Sequence, residues 1–214
     1  ITRSNKRANE YNMGIRARLY ERDEQITVGD RIMVAKNNYF WVEKAAALNS
    51  SRNAAEADFI ANGDIAEVED LHDFHEMGGF HFVNATLRFP DYDDEEMQLT
   101  AVLDTLQSEA PAMTVEQRQQ LYDGVMADYA DLPRKADRLK AVRKDTDYNA
   151  LQIKYAAAIT CHKSQGGQWR CVFVDNALWN EELSIDDKKW LYTAITRGVD
   201  MVYLVNFADR LFDK

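Results

Sequence analysis

Nowhere does the chain contain G-x-x-x-x-G-K-[ST], so no loop of the P-loop type is present to cradle a triphosphate, and a free-standing NTPase of that type is excluded. No apolar run approaches the roughly 18 residues that a membrane span needs, and the opening residues are not expected to form a signal peptide. Cysteine is scarce. Cys161 and Cys171 are too few for a disulfide framework and point to a reducing compartment, so the expected location is cytoplasmic. They read as two small apolar fillers, with a redox pair as the minority alternative. Histidine is equally sparse, and although His72, His75 and His81 lie close together, their stretch has no cysteine and suits a hairpin better than a tetrahedral zinc site. No metal site is expected.

What the chain does have is enough length, 214 residues, for one large domain or two small ones. Its 46% hydrophobic and 29% charged content is ordinary for a globular protein. Acidic residues outnumber basic ones by 36 to 26, a formal charge of −10, which argues against simple electrostatic binding of nucleic acid. The charge is uneven, however. Acid concentrates at 91–97 and base at 2–22 and 133–144, which leaves room for a locally basic groove, with solvated helix faces as the rival reading. The chain starts at Ile1, and an initiator Met is not normally removed from in front of Ile. The expectation is a piece of something longer.

Periodicity organises the rest. Ala8, Tyr11, Ile15 and Leu19 follow helical spacing behind Ser4 as N-cap, in a helix expected to end near Arg22, with Ile1 to Arg3 ending a strand that feeds it. A strand is expected over 29–36, a hairpin turn at Asn62-Gly63, and another strand over 78–89 with His81, Val83, Ala85, Leu87 and Phe89 on one face. Short strands with tight turns predict a small β-barrel, interrupted by a long excursion at 37–58. Thr114 with Gln117 forms a capping box ahead of a stripe of Leu121, Tyr122, Val125, Met126 and Tyr129, and a second, basic helix follows Pro133. The last seventy or so residues turn to an α/β pattern. "YAAAIT", "CVFVD" and "MVYLVNF" suit parallel strands buried on both faces, and a helix at 185–197 is capped by Ser184 with Asp187 and closed by Gly198 as a C′ residue. Strand–helix at one end and α/β at the other predict one domain, 1–28 with 146–214, interrupted by a barrel at 29–110 and a helical segment at 111–145.

Three polar stretches stand out. "TCHKSQGGQW" (160–169) follows a strand; its glycines would allow close approach to a phosphate, and its Thr, Ser and His offer short, rigid donors, while a plain strand–helix turn is the duller alternative. In "LYTAITRG", Arg197 either complements the end of a helix or presents charge to a transferring phosphoryl group. In "ITRSN", Arg3 lies where a strand meets a helix N-terminus, either as an anion ligand or as an ordinary exposed Arg.

Taken in order, "ITRSNKRAN", the inserted barrel opened by "GDRIMVAKNNYFW" and "FIANGD", "ITCHKSQGGQW" and "WLYTAITRG" resemble the second motor domain of superfamily 1 helicases, RecD/Dda branch. The resemblance covers nearly the whole chain. It implies an α/β fold, a RecA-like parallel-sheet domain interrupted by an SH3-like barrel and helices. It further implies the C-terminal half of an ATP-dependent DNA helicase acting in repair or recombination, which translocates on single-stranded DNA and opens duplexes at single-strand/duplex junctions. ATP and Mg²⁺ would be shared with an N-terminal motor domain of the same protein, which would carry the phosphate loop and the metal ligands, so this piece alone would be inactive. Carried over by position, Arg197 and Arg3 would be catalytic, Gly167 and Gln168 would lie at the nucleotide, and Thr160, His162, Lys163 and Ser164 at the DNA. Many relatives have Glu where Gln168 stands. Tyr39, Phe40 and Trp41 are candidates for base stacking, with barrel packing as the rival. Two other readings remain: a non-catalytic nucleic-acid-binding or adaptor module that retains motor motifs, and an α/β protein that binds a small phosphorylated ligand.

Overall fold

The computed structural model describes residues 1–48, 59–178 and 182–212. In chain order its elements are α1 (Asn5–Leu19), β1 (Arg31–Val34), α2 (Phe40–Leu48), β2 (Ile65–Met77), β3 (Phe80–Phe89), β4 (Glu95–Val102), α3 (Val115–Asp128), α4 (Lys135–Lys144), β5 (Leu151–Tyr155), β6 (Trp169–Asp175), α5 (Ile185–Ile195) and β7 (Gly198–Val205). They divide into two compact units, one made of 1–19 with 157–214 and the other of 20–156. The fold is α/β, with a closed barrel in one unit and parallel strands in the other.

In the 20–156 unit the order β1-β2-β3-β4-β5 closes into a barrel, β5 pairing antiparallel with β1 and parallel with β4. Alternation explains the closure. Ile32, Val34, Ala66, Val68, Val83, Ala85, Leu87, Leu99, Ala101, Leu151 and Ile153 are buried, and they recur at every second position along their strands. His81 departs from the expected face: it is exposed and paired with Asp104, while Phe82 is buried in its stead beside an irregularity in the β2 register at His72/His75. The tight hairpin is Gly78-Gly79, both at positive φ, between the paired residues Met77 and Phe80. Asn62-Gly63 does turn the chain, but the run before it contributes a single bridge, Ile60 to Asn38, rather than a strand.

The unit's second boundary corrects the expected one. Leu151–Tyr155 belongs to the barrel, so the α/β part resumes at 157 rather than 146, and "YAAAIT" is not one strand. Thr105 locks this closure. Its hydroxyl donates to Ile153 O and accepts from Ile153 N, joining residues 48 apart in sequence. Part of the excursion after β1 is helix α2; 49–58 lie outside the described residues.

Both expected helices of the middle segment form, and the Thr114–Gln117 capping box is made reciprocally. Leu121 and Val125 of α3 and Val142 of α4 pack with Phe80, Phe82, Val102 and Met113, while Tyr122, Met126 and Tyr129 flank this cluster. Helix and hairpin meet through two glycines: a Cβ on Gly124 would lie 2.8 Å from Gly78 Cα.

In the discontinuous unit, β6 and β7 pair in parallel from Trp169 to Asp175. Thr2 bridges Thr160 in parallel, and Asp175 N donates to Ile1 O, so the first two residues lie between Thr160 and β6. One face of these strands packs on α5 through Val172, Val174, Trp190 and Ala194. The other face was expected to be covered too; Cys171, Phe173, Met201 and Tyr203 are instead exposed. Helix α1 stops at Leu19; of the expected stripe Ala8 is buried, Tyr11 and Ile15 are half-buried and Leu19 is exposed, while Asn12 and Arg16 complete the buried face. Asn12 is satisfied inside, since its amide donates to Ala158 O at 2.8 Å and accepts from Ala158 N at 2.7 Å. Helix α5 is capped by the Ser184–Asp187 box as expected and ends at Ile195. Gly198 is not a left-handed C′ residue. It opens β7 where a Cβ would come within 2.6 Å of Val202 and 3.0 Å of Val172.

The glycine contact sets up a test. In a free helix, Gly→Ala gains about 1 kcal/mol. At position 124 the added methyl meets backbone, and overpacking of this kind costs about 1–3 kcal/mol. Gly124→Ala is therefore expected to lower the urea midpoint; a rise would mean that helix and hairpin do not meet there.

Candidate functional site

The polar stretch folds as a turn over 161–166, anchored by the bridge of Thr160 to Thr2 and leading into β6 at Trp169. Ser164 N donates to Thr160 O, Gly167 N donates to Ser164 O, and Lys163 N reaches Thr160 Oγ1 at 3.4 Å. Ser164 is fully buried and its hydroxyl donates to Cys161 O at 2.8 Å. It was expected to contact the DNA strand; burial corrects this, and its bond holds the turn from inside. Thr160 is also buried, its hydroxyl oxygen turned into the loop. His162 and Gln168 are exposed, and Lys163 is half-buried, with burial pulling its ammonium pKa below the ordinary lysine value. The outer surface of the turn is thus His162, Lys163, Gln165 and the stretch from Gly166 to Gln168.

The two glycines have separate reasons. Gly166 takes a positive φ of +87°, which a side chain would strain. Gly167 is required by its neighbour, because a Cβ there would stand 2.4 Å from the Trp169 ring. The missing side chain at Gly167 is accounted for by this ring alone.

Arg197 follows α5 and grips the same turn. Its Nη1 donates to Gly167 O, its Nε to Thr193 O and its Nη2 to Thr196 Oγ1, each at 3.1 Å. Trp169 N closes the contact on Arg197 O at 2.9 Å. All three side-chain partners are neutral oxygens, and no ion pair involves Arg197 among the described residues. A guanidinium has five N–H bonds. Three are engaged, which leaves one on each Nη nitrogen for an anion on a partly exposed, preset fork.

Arg3 is placed differently. Its Nη1 binds Asp187 Oδ1 at 2.5 Å, and its guanidinium carbon lies 5.8 Å from the centre of the Trp190 ring. Asp187 is in the first turn of α5, while Arg197 follows the last. At 1.5 Å per residue the two anchor points are roughly 15 Å apart along the helix. The structure therefore brings Arg197 together with Gly167 but does not bring Arg3 to Arg197. Charge distinguishes the two: Arg3 is paired with the Asp187 carboxylate, and among the described residues Arg197 is in no ion pair.

Sequence reading missed a second cluster in this unit. Asp175, at the end of β6, accepts from Arg7 Nε at 2.8 Å, Tyr11 OH at 2.6 Å and Asn206 Nδ2 at 3.1 Å. Burial pushes the Asp175 carboxyl pKa up, but these donors outweigh it and hold the group below its ordinary value. A cavity of about 610 Å³ opens beside it, lined among others by Arg3, Lys6 and Arg7. The one clue in sequence was an acidic residue at a strand's carboxyl end, where α/β sheets place ligands. Among the described residues, no three His, Cys, Asp or Glu side chains are grouped to hold a metal ion.

Residues 155–205 match the family described as the UvrD-like helicase C-terminal domain, a stretch that holds the turn, β6, α5 and β7. That part of the chain is similar to superfamily 1 helicases, as the motifs implied. Among solved structures, Pif1 helicase from Candida albicans matches at 15% identity and a TM-score of 0.41, over 87% of this chain and 33% of that one. The likeness is too distant to carry an argument, and the chain spans about a third of that helicase's length. No curated protein matches.

The Arg3 clamp has a pH signature. The Arg3 hydrogen bond, with help from Ser184, lowers the Asp187 pKa from 3.8 to about 2. A depressed folded-state value means that the clamp's stabilisation is present above the ordinary aspartate range and is lost as pH falls through about 2. A carboxyl-carbon NMR titration should find Asp187 ionised well below pH 3.8, and Arg3→Ala should move its midpoint upward. An unmoved midpoint in Arg3→Ala would show that Asp187 does not hold Arg3.

Proposed function

We propose that this chain is the C-terminal motor half of an ATP-dependent DNA helicase of the RecD-like branch, which completes an ATP site with an N-terminal motor domain of the same protein. The observation that carries the proposal is the Arg197 guanidinium, fixed on Gly167 O by neutral partners and left with N–H groups and charge uncompensated. The family match over 155–205 supports the reading.

The donor set fits phosphate oxygens. A guanidinium presents paired N–H groups that match phosphate geometry, and its charge is worth most where developing negative charge is shielded from water. ATP, when bound, would supply the phosphoryl group. Arg197 would hold its charge on that group, with Gly167 and Gln168 alongside. The phosphate loop and Mg²⁺ ligands belong, in this reading, to the other half, so this chain by itself should hydrolyse no ATP. Arg3 would take part only after leaving Asp187.

On the nucleic-acid side, His162 and Lys163 are the exposed or half-exposed candidates for single-stranded DNA. Thr160 and Ser164 act behind them by fixing the turn's shape. One turn would then carry Gly167 against the arginine and His162 against the strand. A change in nucleotide state that moves Arg197 would shift Gly167 O, and through the bond from Gly167 N to Ser164 O the rest of the turn. Coupled to closure and opening of the two halves, this would drive translocation along single-stranded DNA and opening of duplex at junctions.

In the full-length enzyme, Arg197→Ala should lower DNA-stimulated ATP turnover at least about 10³-fold, as loss of an arginine finger does. Arg197→Lys should not rescue it, because an ammonium cannot span Gly167 O, Thr193 O and a phosphate together. Near-normal turnover in a variant with unchanged circular dichroism would refute the assignment.

A further inference from the structure

The three histidines of the 72–81 stretch each meet a carboxylate: His72 lies by Asp70, His81 by Asp104 and His75 by Asp147. His75 differs from the other two. It is the least exposed of the three rings, its partner is only 14% exposed, and that partner belongs to the loop between α4 and β5, 72 residues further on.

A bulge places the ring there. Between the pairs His72–Asn84 and His75–Phe82, β2 has Asp73 and Phe74 where β3 has Val83 alone, and Asp73 takes a left-handed φ of +50°. One extra residue exchanges the faces of the strand beyond it. The imidazole of His75 therefore lies over Phe82, with centroids 5.5 Å apart and planes 20° from parallel. Phe82 is in turn buried with Val125 of α3 and Val142 of α4.

Both ring nitrogens face acceptors. Nδ1 lies 2.9 Å from Asp73 O, and Nε2 lies 3.0 and 3.1 Å from the two carboxylate oxygens of Asp147. A carbonyl oxygen and an ionised carboxylate can only accept, and a neutral imidazole has a single N–H. Either neutral tautomer would set a lone pair against an oxygen; the imidazolium alone satisfies both contacts. The surroundings suit a positive ring. Asp73 bears on it from its own strand, Asp147 from the loop, and the face of Phe82 from β3. Behind Asp147, Asp145 accepts from Tyr129 OH at 2.9 Å. Among the described residues no Lys or Arg is in an ion pair with Asp73 or Asp147. Burial pulls the His75 pKa down, but the bonds to Asp73 O and Asp147 outweigh it and hold the group above its ordinary value.

The loop that His75 holds has a second anchor. Asn149 O accepts from Trp41 Nε1 and from Asn38 Nδ2, each at 2.9 Å. Of the three aromatics singled out in sequence, Trp41 is thus buried in packing, while Tyr39 is exposed and Phe40 half-buried. Tyr148, Asn149 and Ala150 of this loop line a cavity of about 370 Å³.

We propose that His75 and Asp147 form a pH-operated latch: the protonated ring ties the β2 bulge to the loop at 145–149, and deprotonation opens the tie and releases that wall of the cavity. A raised folded-state value means that the latch's contribution is complete below the ordinary histidine value of about 6.5, and is lost as pH rises through the higher folded value. Trp41 keeps its hold on Asn149 throughout, so the opening is local.

Nitrogen NMR of the imidazole rings in this chain, followed through a pH titration, reads the latch directly. Both His75 nitrogens should carry protons below the transition, its midpoint should lie above about 6.5, and Asp147→Asn should lower it. Amide exchange should be expressed as protection relative to an unstructured chain, so that hydroxide catalysis cancels. Asn149 and Ala150 should then lose about threefold to tenfold protection as pH rises through that midpoint, the range for a partly exposed charge-assisted bond. Ile153, whose N–H is bonded to Thr105 Oγ1, should keep its protection. In His75→Gln the loop should be open at every pH. A midpoint at or below the ordinary value, one bare nitrogen at every pH, or an unmoved midpoint in Asp147→Asn would overturn the latch. So would the same protection step in His75→Gln, or an equal loss at Ile153. Should His75→Gln not fold, the Asp147→Asn titration decides alone. None of these outcomes depends on Arg197 or on ATP.

Discussion

The discontinuous unit is organised around one arginine bound to one carbonyl. Arg197 Nη1 on Gly167 O joins the end of α5 to the turn before β6, and Trp169 N on Arg197 O completes the contact from the other direction. Much of the local sequence follows from this. Gly167 must lack a side chain so that Trp169 can fold back over it, and Gly198 must lack one so that β7 can start against β6 directly after the arginine. Neutral partners matter as much as their number. A carboxylate at this place would hold the guanidinium as firmly and cancel its charge, which is what Asp187 does to Arg3.

Two arginines in one unit thereby illustrate opposite uses of the same group. Arg3 is neutralised and lies by the Trp190 ring; Arg197 is oriented and left charged. Trp190 itself leaves its indole N–H without a partner, the one such buried side-chain atom among the described residues. Polar groups buried in this way normally cost about 1–3 kcal/mol, so the tryptophan's place under Arg3 is not a neutral choice of packing. The barrel unit solves a different problem. Its strands come from both ends of a long stretch, and Thr105 and the parallel pairing of β4 with β5 bring the late strand home.

How much of this was legible beforehand depended on distance along the chain. Both capping boxes were visible, since a hydroxyl and a carboxylate or amide three residues apart define them locally. The barrel's early strands and the late helix were visible through their periodicity. The β5 strand was missed, with a strand read at 155–160 instead, because its partners lie about 50 to 120 residues earlier and nothing local marks it as theirs. Asn12 hid the inner face of α1 for the same reason: a polar side chain looks solvent-facing until Ala158, 146 residues away, supplies both of its partners. At the site, residue types in 160–169 were informative but their orientation was not. Ser164 and His162 stand two residues apart, and burial sends one inward and leaves the other outside.

The central claim is that Arg197 is oriented by neutral oxygens so that its remaining N–H groups can meet a phosphoryl group. The most direct measurement is a structure of the full-length protein with ADP, Mg²⁺ and a metal fluoride that mimics the transferring phosphoryl. The account predicts an Arg197 Nη atom within hydrogen-bonding distance of a fluoride, with Nε still on Thr193 O. Arg197 turned away from the fluoride, or drawn onto a carboxylate of the other motor domain, would contradict it.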